Sequence, residues 1–212
     1  KYEPGPTALR AHFSPARVKL AWGPVRSGKS TWLCWRVWDK AVEVSKKGIA
    51  LRAVIIRDTF RNLEDTTLKT WIEWFGQCGK LVKSQGVVNF LLKVPGSDLE
   101  HEVLFRHGQT ASDASAFLSS EYGVIGFEEV VPAFTPTGIV SPGIAEEVFD
   151  LAITRLVQKG VDNPELDITC NPPTPQHWTY RRIISAEPDV LRTKGWWHFF
   201  FPAKENEHNL RP

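Results

Sequence analysis

The chain has 212 residues, 42% of them apolar and 24% charged, with a formal net charge of +2; this is ordinary for one globular domain with a sizeable core. The near-neutral charge excludes a bulk positive field, so any nucleic-acid contact must use a local basic patch. No apolar run approaches the roughly 18 residues of a membrane helix and no signal peptide opens the chain, so no membrane role is expected, and the three cysteines (Cys34, Cys78, Cys170) lack metal-ligand spacing and read as reduced thiols.

Arg17–Trp22 alternates and carries apolar bulk, which predicts a strand. Gly23–Gly28 follows as a loop, and Lys29 to about Ser45 reads as a helix ended by Gly48. Leu51–Ile56 is a continuous apolar run, as in a strand buried on both faces of a parallel sheet. Leu63–Phe75 has helical periodicity. Val87–Val94 and Glu102–Phe105 flank Pro95-Gly96-Ser97-Asp98, which predicts a β-hairpin. Tyr122–Phe127 reads as a short buried strand ending in two carboxylates, Ile144–Gln158 as a helix, and Leu166–Cys170 as a strand. A short helix at Trp178–Ser185 and a final strand at Trp196–Phe201 complete the pattern. Trp32, Trp35 and Trp38 recur every three residues, as do Trp71 and Trp74, the spacing of helix faces packed on a core. Strands alternating with helices predict an α/β fold: a mostly parallel, doubly wound sheet with helices on both faces, in one domain over residues 1–212.

Gly23-Pro24-Val25-Arg26-Ser27-Gly28-Lys29-Ser30 fits the phosphate-binding pattern G-x-x-x-x-G-K-[ST], with Thr31 next in the helix. Its glycines let backbone N–H groups face phosphates, and the helix that follows presents its positive end. Lys29 is expected at the β- and γ-phosphates, and the Ser30 hydroxyl on Mg²⁺. The strand ending at Phe127 supplies a second element: Glu128 is the expected Mg²⁺ ligand and Glu129 the base that orients and activates water. Alone, two glutamates after a strand read equally as a solvated strand end. About 100 residues separate Lys29 from Glu129. That spacing, the second glutamate and the absence of an N-K-x-D guanine signature point to ATP and to P-loop NTPases of the additional-strand, catalytic-Glu type. A third element, Asp167 to Pro173, is a strand that stops at Asn171 before two prolines. Asn171 can donate and accept a hydrogen bond and is placed to sense the γ-phosphate; otherwise it initiates an Asn-Pro turn.

Three features together resemble the ATPase domain of the large terminase subunit, the DNA-packaging motor of tailed bacteriophages. These are the Arg-containing P-loop, the strand ending in Glu128-Glu129, and Asn171-Pro172-Pro173 followed by His177-Trp178. Arg57-Asp58-Thr59-Phe60 and the stretch from Phe201 to Asn209 resemble further family segments. The resemblance implies an ATP- and Mg²⁺-dependent motor that translocates double-stranded DNA into a procapsid. It also implies a portal protein and a small terminase subunit as partners, a homo-oligomeric ring (a pentamer) when working, and the host cytoplasm as its place. It makes Arg26 a P-loop arginine near the phosphates and Thr169–Asn171 the coupling segment. Two positions depart from the family: Arg10 precedes Phe13 where a glutamine often reads adenine, and Leu118 stands where an arginine often lies about eleven residues before the catalytic Glu. An arginine finger must then come from elsewhere, Arg155 or Arg106; the plain alternative for Arg155 is a surface arginine whose stem packs on its helix. The family's C-terminal nuclease domain is expected to be absent from this chain. The rival readings are another nucleic-acid-translocating ATPase of helicase type, or a nucleotide-binding module that does not hydrolyse.

Overall fold

The computed structural model describes residues 2–84, 87–115, 119–135 and 138–209. In chain order its elements are α1 (Pro6–His12), β1 (Val18–Trp22), α2 (Lys29–Ser45), β2 (Arg52–Arg57) and α3 (Phe60–Asn62). Next come a π-helical stretch over Leu63–Leu68, α4 (Lys69–Phe75), β3 (Gly79–Ser84), β4 (Val87–Lys93), β5 (Glu100–His107) and α5 (Ala111–Ser115). The chain continues through β6 (Val124–Phe127), β7 (Ala133–Thr135), β8 (Gly138–Ser141), α6 (Glu146–Ile153) and β9 (Glu165–Cys170). A second π-helical stretch (Tyr180–Ile184), α7 (Pro188–Lys194), β10 (Trp196–Phe200) and a 3₁₀ segment over Ala203–Asn209 follow.

Eight strands form one sheet in the order β10-β1-β9-β6-β2-β5-β4-β3. From β10 to β5 neighbouring strands are parallel, and β4 and β3 add an antiparallel end. The mostly parallel, doubly wound α/β fold expected from the alternation of elements is thus observed. Its cause is visible in β2, where Ala53 and Ile55 enter the core under α1, α2 and α4 while Val54 and Ile56 enter the core under α6 and α7. An apolar run with no polar face requires cover on both sides. Trp32 and Trp71 are fully buried, and Trp35, Trp38 and Trp74 pack against the same core, as their helical spacing predicts.

The parallel order fixes the function-bearing edge. Trp22 is in register with Cys170, Phe127 with Ile168, and Ile56 with Phe127. The residues following β1, β9, β6 and β2 therefore emerge along one edge of the sheet. β9 lies between β1 and β6.

A buried charge cluster ties α2 to β1 and β9 toward the opposite ends of those strands. Arg36 Nη2 donates to Glu165 Oε1 and Oε2 at 2.5 and 2.6 Å, and Lys19 Nζ donates to Glu165 as well. Asp167 is held more loosely, with Lys19 Nζ 3.4 Å and Arg36 Nε 3.6 Å away. The two cations hold Glu165 down to about 2 despite its burial, which pushes the other way. Burial prevails at Asp167 and raises its pKa.

Several elements differ from expectation. β3 was not anticipated; it extends the β4–β5 hairpin into a three-stranded meander. α1 and α7, each opened by a proline in its first turn, are too short to show a period. The helix expected over Ile144–Gln158 spans only Glu146–Ile153. Ile144 N–H bonds to Val130 O, and the chain past Ile153 turns so that Gln158 bonds Ala50 O and Arg52 N–H. Leu63–Phe75 begins with the π-helical stretch rather than as one regular α-helix.

Candidate nucleotide site

The loop between β1 and α2 is shaped by two glycines. A Cβ on Gly23 would lie 2.2 Å from Phe201 O, so only glycine lets the loop leave β1 alongside the end of β10. Gly28 caps α2 at φ +84, a left-handed conformation that favours glycine. Among the described residues no side chain caps the first turn of α2, so its N–H groups remain oriented toward the loop with the positive end of the helix dipole. Lys29, Ser30 and Thr31 begin that helix, Pro24, Val25 and Arg26 form the exposed crest, and Ser27 is buried. Arg26 also has positive φ, at +66, and its carbonyl accepts from Asn206 Nδ2 at 2.8 Å.

Lys29 is buried at 5% exposure and its ammonium is held by the loop itself. Nζ donates to Gly23 O at 2.9 Å, Pro24 O at 2.8 Å and Ser27 Oγ at 3.3 Å, and stands 3.5 Å from Asn171 Oδ1. Burial lowers the Lys29 pKa, opposed chiefly by the nearby charge of Glu129 and also by Glu128. The acids at the end of β6 therefore lie within electrostatic reach of the loop lysine.

Glu128 is 2% exposed. Its Oε2 lies 3.2 Å from Arg57 Nη1 and accepts from the Thr67 hydroxyl. Glu129 turns the chain with φ +53, an uncommon value for a residue with a side chain. The turn is braced by β9: Glu129 N–H lies 3.4 Å from Thr169 Oγ1, and Val130 N–H bonds Thr169 O. Burial raises the Glu129 pKa, partly offset by Lys29, while Glu128 raises it further; Arg57 and the Asn171 N–H lower it. A carboxyl so placed suits proton transfer, because its affinity for a proton is lifted without losing its nearby cations.

The loop after Asn171 returns beneath this turn. The His177 ring bonds the Val130 backbone and Thr179 Oγ1, and Trp178 Nε1 donates to Ile144 O at 3.0 Å. The His-Trp pair thus supports the chain that follows Glu129.

Lys29, Glu128, Glu129 and Asn171 are therefore brought together. Arg155 is not: it lies past the end of α6, in a turn rather than within the helix expected there. Its carbonyl accepts from Tyr122 N–H, before β6 begins. That is the opposite edge of the sheet, roughly 20 Å along the strand from Glu129. Arg106 donates to Val88 O, Phe105 O and Asn89 Oδ1, so its guanidinium ties β4 to β5. Leu118 lies outside the described residues. Arg10 donates to Thr7 Oγ1 and Phe13 is exposed at the far end of α1, whereas Thr7 and Gly5 at its start meet Glu205 beside the P-loop. Sequence reasoning missed Thr67 outright and noted Arg57 and Asn206 only as parts of family segments. The Ser30 hydroxyl and the Glu128 carboxylate are hard oxygen donors of the kind Mg²⁺ takes, and as a donor set they fit that group.

No protein-family model matches the sequence, and no curated protein matches it. Solved structures do. The large terminase of a thermophilic bacteriophage superposes with a TM-score of 0.73 at 15% identity, over 99% of this chain and 48% of that one. The same phage protein in complex with ADP gives 0.68 at 16% identity, over 98% and 47%. The ATPase domain of the Thermus phage P74-26 large terminase gives 0.58 at 15%, over 94% and 81%. The fold is that of large-terminase ATPase domains, and the chain spans about half the length of the first of these phage proteins.

Proposed function

We propose that this chain is the ATP-hydrolysing motor domain of a viral DNA-packaging machine, driving double-stranded DNA into a procapsid. The observation that carries the reading is the convergence of Lys29, Glu128, Glu129 and Asn171 on one edge of the sheet, with β9 between the P-loop strand and the acidic strand. The large terminase of the thermophilic bacteriophage has been solved with ADP and with ATP-gamma-S, and the same class of nucleotide is proposed here. Its partners in this reading are a portal protein, a small terminase subunit and further copies of itself in a pentameric ring, working in the host cytoplasm.

The residues divide the work as their positions suggest. Lys29 exchanges the Gly23 and Pro24 carbonyls for β- and γ-phosphate oxygens, which accept more strongly because they are charged. The uncapped N–H groups of α2 and the P-loop backbone bind the remaining phosphate oxygens. Ser30 and Glu128 hold Mg²⁺, which supplies positive charge to the phosphate oxygens when bound. Glu129 orients a water and takes its proton, and its raised pKa favours that transfer. Asn171 touches both sides, through its N–H on Glu129 and Oδ1 near Lys29, so departure of the γ-phosphate is felt at the tip of β9.

Steady-state phosphate release, with and without double-stranded DNA, tests the reading. Glu129→Gln is expected to keep nucleotide binding and lose turnover by about 10²-fold or more, the scale of general-base loss. Turnover in Glu129→Gln equal to that of the unmodified chain refutes the assignment of the base.

A further inference from the structure

Lys29 is not the only cation at the acid pair. Arg57, the last residue of β2, places Nη1 3.2 Å from Glu128 Oε2, and Thr67 Oγ1 donates to the same oxygen. The other edge of the guanidinium faces Asp58, where Nε stands 3.7 Å from Oδ1, beyond hydrogen-bond distance. That Nε is buried and has no hydrogen-bond partner among the described residues. Arg57 thus sits between two buried carboxylates, in a close ion pair with one and a longer one with the other. Asp58, 1% exposed, is rigidly held. Its Oδ1 accepts from Thr59 N–H at 2.8 Å and Asn62 Nδ2 at 3.1 Å, and its Oδ2 accepts from Ser141 Oγ at 2.6 Å.

We propose that Arg57 is a positioning residue that competes with a divalent cation for Glu128 and shifts onto Asp58 when the cation is present, a proposal that rests on the nucleotide-site reading above. The guanidinium pairs with Glu128 and, with Thr67, fixes its Oε2. A dication beside the same carboxylate sets like charge against Arg57 and weakens that bond. Asp58 is the adjacent carboxylate, and contact with it supplies the partner that Nε lacks. Because Asp58 also anchors Thr59, Asn62 and Ser141, the shift acts on the start of α3 and the end of β8. Arg57 would in this way report the loading of the site to segments that do not touch the nucleotide.

The test is Mn²⁺ binding, followed by electron paramagnetic resonance in the presence of saturating ADP, with circular dichroism to check folding. Arg57→Gln removes the competitor and is expected to bind Mn²⁺ about tenfold more tightly, the scale of one partly screened charge contact. Asp58→Asn removes the destination and is expected to bind it about threefold or more weakly. Arg57→Lys keeps the charge and is expected within about twofold of the unmodified chain. A purely structural role weakens binding in every variant, so the opposite signs for Arg57→Gln and Asp58→Asn are the discriminating result. If Glu128→Gln abolishes Mn²⁺ binding but Arg57→Gln fails to tighten it, the competition is refuted. Should Arg57→Gln not fold, unchanged Mn²⁺ affinity in Asp58→Asn overturns the proposal instead. If Glu128→Gln itself leaves Mn²⁺ binding intact, the nucleotide-site reading fails and takes this inference with it.

Discussion

Glu165 and Asp167 share one buried cluster, yet replacing them should have unequal consequences. Glu165 accepts two contacts from Arg36 Nη2 and one from Lys19. Asp167 has one long contact with Lys19, and its Oδ2 has no hydrogen-bond partner among the described residues. A fall in the Glu165 pKa from 4.5 to about 2 corresponds to about 3 kcal/mol of stabilisation at neutral pH. Glu165→Gln also leaves two buried cations facing one carboxylate, which places the loss in the range of about 3–5 kcal/mol for a broken buried pair. Asp167→Asn removes a charge that burial already disfavours, so the expected loss is about 1 kcal/mol or less. With a urea m-value of about 3 kcal/mol/M, the Glu165→Gln midpoint should fall by about 1 M or more, while that of Asp167→Asn scarcely moves.

The same asymmetry fixes the pH dependence. The folded pKa of Glu165 lies below its unfolded value, so its contribution is present above about pH 4.5 and is lost as pH falls toward about 2. The folded pKa of Asp167 is raised, so its influence has the opposite sign: it is most favourable at low pH and declines as pH rises through its folded pKa. In the unmodified chain the two partly cancel. Urea titrations between pH 2 and pH 5 should therefore show a steeper loss of stability in Asp167→Asn and a shallower one in Glu165→Gln. Equal midpoints for the two variants at pH 7, or a larger loss in Asp167→Asn, would refute the reasoning.

Three further outcomes are expected. Lys29→Ala should weaken nucleotide affinity at least ~100-fold in a fluorescent-nucleotide titration, since two charge-assisted phosphate contacts are lost; wild-type affinity would contradict the P-loop assignment. Gly23→Ala should disrupt the loop and lower the melting temperature, because its Cβ would lie 2.2 Å from Phe201 O; a variant with unchanged melting and nucleotide binding would be inconsistent with that close approach. Arg155→Ala should leave nucleotide affinity within about twofold in dilute solution, where no neighbouring chain can reach the site, because its backbone lies at the opposite edge of the sheet, roughly 20 Å from Glu129; a large loss there would contradict the placement of Arg155.

What was legible in the sequence follows the range of the interactions involved. β1, the P-loop and α2 form one contiguous stretch whose residue types dictate its conformation. The buried strands β2 and β6 announce themselves as apolar runs, and β9 as an alternation of polar and apolar residues. The polar groups that complete the site depend on strand order instead. Arg57 meets Glu128 because β2 and β6 are neighbours across 71 residues of sequence, and Thr67 reaches the same oxygen from the π-helical stretch after β2. Asn206 braces the P-loop from 180 positions away. No local period encodes such pairings. β3 was hidden for a different reason: it is a mostly exposed end strand with an even polar mixture and no buried face to pattern it.

The distribution of cations gives the site its character. Lys29 lies against its own loop, Arg106 is spent on strand carbonyls, and Arg155 stands at the other edge of the sheet. Among the described residues Arg57 is the arginine that pairs with Glu128. An arginine finger acting on the γ-phosphate has to be a residue other than Arg57, which already pairs with Glu128. For Arg155 to serve, a neighbouring chain must present the edge where β6 begins to the edge where this β6 ends. That is a head-to-tail contact, which closes only as a ring or continues as a filament. The separation of Arg155 from the P-loop within one chain thus makes a specific demand on assembly. Activity dependent on Arg155 should appear only in an oligomer whose subunits meet by these two opposite edges of the sheet.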